Sequence, residues 1–527
     1  ATTAGLSAVA GLLAWWAGRG RSLPAVDDAL PRWVAAEPTG PARPPRGPRE
    51  TPGPGPSPLP YDPARLWPTL LVVSFGTAVA SFAYEIGWIR MLSLVLGSAT
   101  HAFELMLSAF ILGLALGAWL IRRHADAAAD PVGLLAGVQI LMGLSAVATL
   151  PLYLLSFDAV AWMVTVLPAE DSGYLLFNLG RYGLSLAIML PATVLAGTTL
   201  PLVTGTLLRA GHGERAMGWV YGWNTVGSVL GVGLAGLILL PAVGLEGLLS
   251  LGAALDVALG LWLLVLSARA RGVGLRPTAL AATASAVVLG GVVVGVRLDE
   301  RLLTSGVFLY HEDGRTATVS AYVGTADGVV VLATNGKPDA SMGSRWLASD
   351  RDTLPTAPIP PSRDFTTQVL APMVGLAHHP DAHTAANIGH GSGMTGTTLL
   401  ASPRLERLVS IEIEPLMVEG SFAFLPANAA VFEDPRSTFV FDDARSFFAH
   451  RQERFDLIFA EPSNVWVSGV GGLFTREFYQ RVRTYMADDG VLAQWIHLYA
   501  MDDDLVLSML AALESAGKSE VVSQPKV

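Results

Sequence analysis

Several residues in the last third of the chain have the types and spacing for nucleotide chemistry. The segment Gly389-His390-Gly391-Ser392-Gly393 follows an apolar, strand-like run and precedes a helical one. Glycines between a strand and a helix allow a tight turn, and they let the backbone approach a ligand closely. This glycine loop therefore predicts a nucleotide-type site, and the alternative is a turn that binds nothing.

Acidic residues follow the next two apolar runs. Glu412 ends the first run, about 20 residues after the glycines, and Asp442 and Asp443 follow the second. Ligands of parallel sheets bind at the carboxyl ends of the strands, where Glu412 would suit ribose hydroxyls and a carboxylate at Asp442 or Asp443 an adenine amino group. Each acid alone could instead be a solvated charge or a helix cap, but their succession at strand ends favours a cofactor site.

A fourth segment, Glu461-Pro462-Ser463-Asn464, follows the apolar run Leu457–Ala460. Catalytic groups gather at this edge of such sheets, so Glu461 is a candidate general base. The alternative is a carboxylate that caps a helix or forms a salt bridge.

These segments need a parallel sheet to bring them together. Apolar strands alternate with helical stretches over residues 376–527, which predicts a parallel, doubly wound sheet. Residues 298–375 precede it and contain the alternating runs TATVSAYV and VVVLATNG, which predict a small β-meander.

The region before these domains is apolar. Overall the chain is 51% hydrophobic and 15% charged, and the charge is scarce over residues 67–297. Apolar runs near or above the length that spans a membrane occupy 68–96, 99–121, 132–156, 180–208, 217–241, 244–267 and 278–297. We therefore expect a multi-pass membrane domain of about seven helices. Pro191 and Pro201 predict a kink or break in the fourth run.

Two segments precede the membrane domain. Residues 1–17 are apolar but too short to cross a bilayer, so they are interpreted as part of a transmembrane helix. Residues 18–66 include a Pro/Gly-rich stretch and are predicted to be a linker.

Arginines mark alternate loops of the membrane domain. They follow the second, fourth and sixth apolar runs, whereas the loops near 97–101, 157–179 and 242–246 contain no Lys or Arg. The positive-inside rule makes the Arg-bearing loops cytoplasmic and, with seven crossings, places the C-terminal domain outside.

Composition excludes some classes of site. The net charge of −10 argues against a nucleic-acid surface, which needs a basic patch. The absence of cysteine excludes disulfides, thiolate metal sites and a Cys nucleophile, and no metal is expected.

Taken together, these motifs resemble the spermidine synthase (polyamine aminopropyltransferase) family, specifically its membrane-fused bacterial members. The resemblance runs from about Tyr310 to Leu513 and rests on NGKPDAS, GHGSG, IEIEP, DPR, DDARSFF and LFTREFY in that order. In the membrane region, YEIGWIRML and YGWNTVGSVLG are also similar. The bacterial inner membrane is the location that this resemblance implies.

The resemblance implies a Rossmann-like domain of the class I methyltransferase type over residues 376–527, and it also implies a cofactor and roles for the residues. Decarboxylated S-adenosylmethionine, or S-adenosylmethionine for a methyl transfer, would bind at Gly389, Gly391 and Gly393. Glu412 falls on the family's ribose-binding acid and Asp443 on its adenine-side acid. The acceptor would be a small amine.

The sequence departs from the family in its active-site loop. The family's Asp-x-x-Asp becomes Glu461 and Asn464, so the second position loses its charge, and a cationic polyamine needs anionic partners at both ends. The expected acidic and aromatic residues upstream of the glycine loop are replaced by Asp364-Phe365-Thr366-Thr367-Gln368. After the last predicted helix, at 502–515, only a short segment remains for the final strands of the sheet.

Three functions remain open at this stage. The first is an aminopropyltransferase-like enzyme with a degenerate active-site loop. The second is a catalytically silent structural or assembly subunit, with other membrane proteins as partners. The third is a transporter with a nucleoside-sensing domain, based on Glu85, Arg90 and Asp256 inside the apolar runs. In each case the bilayer is the surrounding medium and no nucleic acid is bound.

Overall fold

The computed structural model describes residues 59–97, 100–168, 171–296, 306–325, 328–343, 363–450, 453–467, 469–498, 501 and 503–517. It contains a bundle of long apolar helices followed by a small antiparallel sheet and a larger α/β domain. The predicted fold class is confirmed. The predicted partial helix at 1–17 and most of the linker at 18–66 lie outside the described residues.

The bundle consists of eight α-helices among the described residues: α1 (Pro63–Leu96), α2 (Thr100–Ala127), α3 (Pro131–Val147), α4 (Thr149–Val166), α5 (Asp171–Arg209), α6 (Arg215–Leu234), α7 (Leu240–Ala270) and α8 (Arg276–Gly295). They form six continuous segments that are long and apolar enough to cross a membrane. The chain is therefore compatible with a multi-pass membrane protein.

The helix bounds correct two predictions. A kink or a break was predicted at Pro191 and Pro201, and helix α5 runs through both prolines without a break, so a break is wrong and a kink stays a prediction. The predicted loop 157–179 is largely helical, because α4 ends at Val166 and α5 begins at Asp171. Proline at these two positions is tolerated because neighbouring helices and side chains can satisfy the freed backbone groups inside a membrane.

The fifth segment, Arg215–Ala270, is too long for one crossing. Its 56 residues would extend roughly 84 Å as a straight helix, against about 30 Å of hydrocarbon. Gly244 interrupts it with φ 67° and ψ −178°, which are not helical values. The segment thus has the length and the break for two crossings, while the total of about seven spans stays a prediction.

Helix α1 forms the centre of the bundle. Its Tyr84 hydroxyl donates to Asp256 of α7 at 2.6 Å, and both side chains are buried. Glycines let α6 approach α1 closely: a Cβ at Gly227 would lie 2.4 Å from the Phe75 carbonyl oxygen, and one at Gly231 would lie 3.0 Å from the Val79 Cα. The missing side chains at Gly227 and Gly231 therefore allow close packing of these two membrane helices.

The soluble half begins with a four-stranded antiparallel sheet. Strands β1 (Gly306–Asp313), β2 (Thr318–Gly324), β3 (Val329–Thr334) and β4 (Lys337–Gly343) pair in sequence order. Val319, Leu332 and Met342 bury one face of this meander against the larger domain. The predicted small β domain is present, with two strands more than the two predicted runs.

The larger domain contains a five-stranded parallel sheet. Its strands are β5 (Thr384–Ile388), β6 (Arg407–Glu412), β7 (Ser437–Phe441), β8 (Phe455–Ala460) and β9 (Met486–Gln494), in the order β7-β6-β5-β8-β9. Helices among the described residues are α9 (Arg363–His378), α10 (Met394–Leu400), α11 (Pro415–Gly420), α12 (Ala429–Glu433), α13 (Ala444–His450), α14 (Arg476–Arg483) and α15 (Asp503–Glu514). The strand order reverses beside β5, and ligands of such sheets bind at this point.

The soluble half is bonded to one end of the helix bundle. The Arg90 guanidinium of α1 donates to the carbonyl oxygens of Arg315 at 2.7 Å and Gly314 at 3.3 Å. The Thr100 amide of α2 donates to the Trp466 carbonyl at 2.8 Å. Directly after the break at Gly244, the Leu245 amide donates to the Asp313 carboxylate at 3.0 Å. These bonds place the α/β domain at the end of the bundle where α1 ends.

Candidate active site

The glycine loop lies between β5 and α10. Gly389, Gly391 and Gly393 have φ values of 89°, 55° and 80°, which side chains other than glycine rarely adopt. A Cβ at Gly389 would lie 2.9 Å from the Glu461 carbonyl oxygen, whereas a Cβ at Gly391 would meet its nearest neighbour only at 3.9 Å, on Ala340. The turn is therefore tight at Gly389, whereas a Cβ at Gly391 would be in ordinary van der Waals contact with Ala340.

A network of buried hydrogen bonds stabilises the glycine loop. His390 Nε2 lies 2.8 Å from the Ser421 hydroxyl, and the Asn428 amide donates to the Ser392 carbonyl at 2.8 Å. The Ser392 hydroxyl donates to Gln368 of α9. Burial lowers the pKa of His390 to about 4, so the ring is neutral. The segment Asp364–Gln368, whose role the sequence left undefined, thus contributes a support to the loop through Gln368.

Glu412 ends β6, next to the glycine loop. Its side chain is 7% exposed, and its carboxylate accepts from the backbone N–H of His390 at 2.9 Å and of Glu414 at 3.0 Å. Burial raises the pKa of Glu412, and the two N–H groups oppose that rise. The predicted position of this acid at a strand end is confirmed, while its role toward a ribose stays a prediction.

Asp442 and Asp443 follow β7, the edge strand. The Asp442 backbone N–H donates to the Glu412 carbonyl at 3.1 Å, and its side chain is exposed. The Asp443 carboxylate accepts from Arg445 Nη2 at 2.8 Å and from the Arg445 backbone N–H at 2.7 Å. The Arg445 side chain holds the pKa of Asp443 below its usual range. Asp443 therefore caps α13 and forms an ion pair with Arg445. An adenine amino group bound by Asp443 would share this carboxylate with Arg445.

Glu461 follows β8, on the other side of β5 from Glu412. Its backbone N–H donates to the Ile388 carbonyl at 3.1 Å, which fixes it beside the glycine loop. The Thr395 hydroxyl, at the start of α10, lies 2.9 Å and 3.0 Å from the two carboxylate oxygens. Burial raises the pKa of Glu461 to about 7, although Thr395 opposes that rise. A carboxyl group with this pKa can accept and release a proton near neutral pH.

Asn464 is the second departure from the family's pattern. Its side chain is buried, three residues after Glu461 in the loop that continues to Trp466. Because an amide carries no charge, Asn464 orients a neutral group or offers a hydrogen bond but does not balance an ammonium.

The sequence interpretation missed a group of three side chains next to this loop. Lys337 at the start of β4 donates to Asp339 Oδ1 at 2.6 Å and to Ser463 Oγ at 2.8 Å. The Ser463 hydroxyl in turn donates to Asp339 at 2.8 Å. A lysine and an aspartate two positions apart on a strand point to the same face, which is the signal that could have revealed them. This Lys337 triad of Lys337, Asp339 and Ser463 brings the β-meander into the site.

The fold and these residues define a Rossmann-like domain with a glycine loop, strand-end carboxylates and a candidate base. Known proteins have sequences similar to this domain. Residues 364–523 match the family model of the spermine/spermidine synthase domain. The polyamine aminopropyltransferase of Corynebacterium efficiens is 26% identical over 484 residues, which are 88% of this chain and 84% of that protein. The chain is therefore similar to a polyamine aminopropyltransferase over most of its length, and its residues 364–523 match the spermine/spermidine synthase domain.

Other relatives match a shorter region. The polyamine aminopropyltransferase of Clostridium perfringens is 32% identical over 119 residues, which cover 23% of this chain and 42% of that protein. The chain thus spans about two fifths of the length of this relative. Among solved structures, the spermidine synthase from Thermotoga maritima has a TM-score of 0.32 at 20% identity, covering 40% of this chain and 64% of that one.

Proposed function

We propose that this membrane protein transfers an aminopropyl group from decarboxylated S-adenosylmethionine to a small amine. The observation that carries the proposal is Glu461, a carboxyl group with a pKa of about 7 beside the glycine loop. The relatives named polyamine aminopropyltransferases support the same class of reaction. Methyl transfer from S-adenosylmethionine is a close variant that would use the same loop.

The residues present fit a sulfonium nucleoside. The glycine loop presents backbone without side chains at Gly389, Gly391 and Gly393, and two backbone N–H groups hold the Glu412 carboxylate next to it. Glu412 would accept hydrogen bonds from ribose hydroxyls. The nucleoside, when bound, supplies a carbon activated by positive sulfur.

The protein's task is then to align the amine and remove its proton. Glu461 would accept that proton, and Thr395 would keep the carboxylate oriented and partly stabilise its charge. Holding the two reactants in line contributes the larger part of the rate acceleration in such a displacement.

Binding of the donor tests this proposal. Calorimetry on the full chain in detergent should show binding of decarboxylated S-adenosylmethionine that Glu412→Ala abolishes. Glu433→Ala, an exposed acid on α12, is the matched control and should bind normally. If the wild-type protein binds no sulfonium nucleoside, the proposal is wrong.

A second candidate is a catalytically silent assembly subunit, which the loop charges favour. Asp130 forms an ion pair with Arg271 at 3.1 Å, and Arg209 bonds the Ala128 carbonyl at 2.8 Å, so these Arg-bearing loops meet at one end of the bundle. The α/β domain is bonded near Leu96, at the other end of α1. The positive-inside rule would then place the domain outside, without a supply of nucleoside.

Cysteine labelling separates the two candidates, because the chain has no native cysteine. Ala401→Cys lies on the exposed surface of the α/β domain, and Ala129→Cys lies in an Arg-side loop as its control. Labelling of Ala401→Cys in intact cells by an impermeant maleimide would favour the subunit. Protection of that site, with labelling of Ala129→Cys, would favour the transferase.

A further inference from the structure

Glu414 is a buried carboxylate that the proposed reaction does not use. It follows the candidate ribose acid Glu412 by two positions, and its side chain is 3% exposed. Its carboxylate accepts from the Thr316 backbone N–H at 2.8 Å, from the Thr316 hydroxyl at 2.7 Å and from the Ala317 backbone N–H at 3.2 Å. A buried carboxylate needs such donors, because burial removes the water that would otherwise solvate its charge. Glu414 is therefore fixed to the turn between β1 and β2.

The backbone of Glu414 fixes the orientation of Glu412. The Glu414 N–H donates to Glu412 Oε1 at 3.0 Å, and the His390 N–H of the glycine loop donates to Glu412 Oε2 at 2.9 Å. The two oxygens are thus held by two separate segments of the chain. Hydrogen bonds weaken steeply when donor and acceptor are misaligned. A displacement of Glu414 would therefore release one oxygen of Glu412 and let its carboxylate rotate.

Helix α1 of the membrane domain holds the β1–β2 turn. The Arg90 guanidinium donates to the carbonyl oxygens of Gly314 and Arg315 in this turn. Its Nη1 also lies 3.4 Å from Asn335 Oδ1, which accepts from the Thr318 backbone N–H at 3.0 Å where β2 begins. Arg90 thus bonds the turn at its carbonyls and, through Asn335, at the start of β2.

The same turn lies directly on Glu414. A Cβ at Gly314 would lie 2.5 Å from the Glu414 carboxylate, so the Gly314 backbone and the carboxylate are in contact. The Gly314 N–H donates to the Ala317 carbonyl at 2.8 Å, which closes the turn. The negative charges of Glu414 and Asp313 also attract the Arg90 guanidinium. Both contact and charge therefore join α1 to Glu414 through one turn.

We infer that Arg90 is a positioning residue for the donor: helix α1 fixes the β1–β2 turn, the turn fixes Glu414, and Glu414 fixes Glu412. This inference rests on the proposed aminopropyl transfer, in which Glu412 binds the ribose of the donor. Coupling between two sites is reciprocal, so a bound donor stabilises the contact of Arg90 with the turn by the same factor by which that contact strengthens donor binding. Helix α1 thereby affects donor affinity without contributing a side chain to the donor site.

The donor affinity of Arg90 variants tests the inference. Calorimetry with decarboxylated S-adenosylmethionine on the full chain in nanodiscs should give a Kd at least about 5-fold higher for Arg90→Met than for the wild type, which is the lower end of typical couplings between sites. Arg90→Lys should recover part of the affinity, because an ammonium still donates to the carbonyls of the turn. Thr100→Val is the matched control. It removes another hydrogen bond of the same junction, from the Thr100 hydroxyl to the Trp466 carbonyl at 3.1 Å, and should keep the wild-type Kd.

Steady-state kinetics separate positioning from a loss of folded protein. A displaced Glu412 weakens donor binding but leaves the reacting groups unchanged. Arg90→Met should therefore raise the KM for the donor at least about 5-fold and keep kcat within about 2-fold of the wild-type value. A variant that is merely destabilised would contain less active protein, which lowers kcat and leaves the KM unchanged.

A double-mutant cycle tests the path between Arg90 and Glu412. Glu414→Gln removes the charge and one acceptor oxygen, so it should also raise the Kd for the donor. Because both residues act through the same turn, Arg90→Met should have little further effect in the Glu414→Gln background. Effects of the two substitutions that multiply would show that Arg90 does not act through Glu414.

The inference is overturned if Arg90→Met binds the donor with the wild-type Kd, or if the two substitutions act independently. Arg90→Gln, which retains a neutral donor, replaces Arg90→Met if the latter does not fold, and an unchanged Kd for it has the same meaning. Failure of the proposed function is a different result, because the wild-type protein itself would then bind no donor.

Discussion

Replacing Thr395 by valine should raise the pH at which the protein becomes active. The Thr395 hydroxyl is 2% exposed and donates to the carboxylate of Glu461 at 2.9 Å and 3.0 Å. Valine has nearly the same shape but no donor. A hydrogen bond to a charged group contributes about 1.5–3 kcal/mol, which corresponds to about 1–2 pKa units. The pKa of Glu461, about 7 in the wild type, would then rise in the variant.

The size of the effect follows from the ionised fraction of the base. At pH 7 about half of Glu461 is ionised in the wild type, and a rise of about 1–2 units leaves roughly 1–9% ionised. The transfer rate at pH 7 should fall about 5- to 50-fold, and it should recover toward the wild-type rate near pH 9.5. The assay measures release of the thioether nucleoside between pH 5.5 and 10 at saturating donor.

A matched substitution controls for packing. Thr398→Val lies on the same helix, but the Thr398 hydroxyl donates to the Met394 carbonyl within α10. Its pH profile should coincide with that of the wild type. If Thr395→Val lowers the rate by the same factor at every pH, the Thr395 hydroxyl does not set the ionisation of Glu461, and this reasoning is refuted.

Three further predictions concern the cofactor loop and the junction between the domains. Gly391→Ala should weaken donor binding at least 10-fold by calorimetry and lower stability by about 1–2 kcal/mol, because alanine is strained at positive φ and its methyl enters ligand space; normal binding would contradict this. Arg90→Met should lower the free energy of unfolding by about 2–4 kcal/mol, because two carbonyls lose a charged donor, and thermal unfolding in detergent measures it. Asp313→Asn should lower the free energy of unfolding by about 1 kcal/mol in the same assay, because the hydrogen bond from the Leu245 amide is weakened. An unchanged Tm would show that Asp313 does not cap this helix.

The sequence predicts the positions of strand-end residues well because the pattern that defines a strand also defines its end. Glu412, Asp443 and Glu461 each follow a short apolar run, and the parallel sheet brings Glu412 and Glu461 to the two sides of the glycine loop. What these carboxylates bond to depends on distant residues. Thr395 lies 66 positions before Glu461, and no local pattern links them.

Other features required the three-dimensional structure. Lys337 and Ser463 are 126 residues apart and meet only because the β-meander packs over the sheet edge. Pro191 and Pro201 predicted a kink or a break in α5, and the helix is not broken there, because neighbouring helices in the bundle outweigh the local preference of proline. Gly244 breaks the fifth segment although glycines occur throughout the other helices, so composition alone does not distinguish it.

The cap at that break has a consequence for how the protein is made. Leu245 begins a helix whose first amides lack partners within the helix, and its bond goes to Asp313, 68 residues later in the chain. At roughly 5–20 residues per second, a ribosome needs about 3–14 s to produce this aspartate after Leu245. During that interval the half-made bundle carries an open helix end. The first turn of this helix therefore gains its partner only after the first strand of the β-meander has been synthesised, so the folding of the two halves is coupled in time.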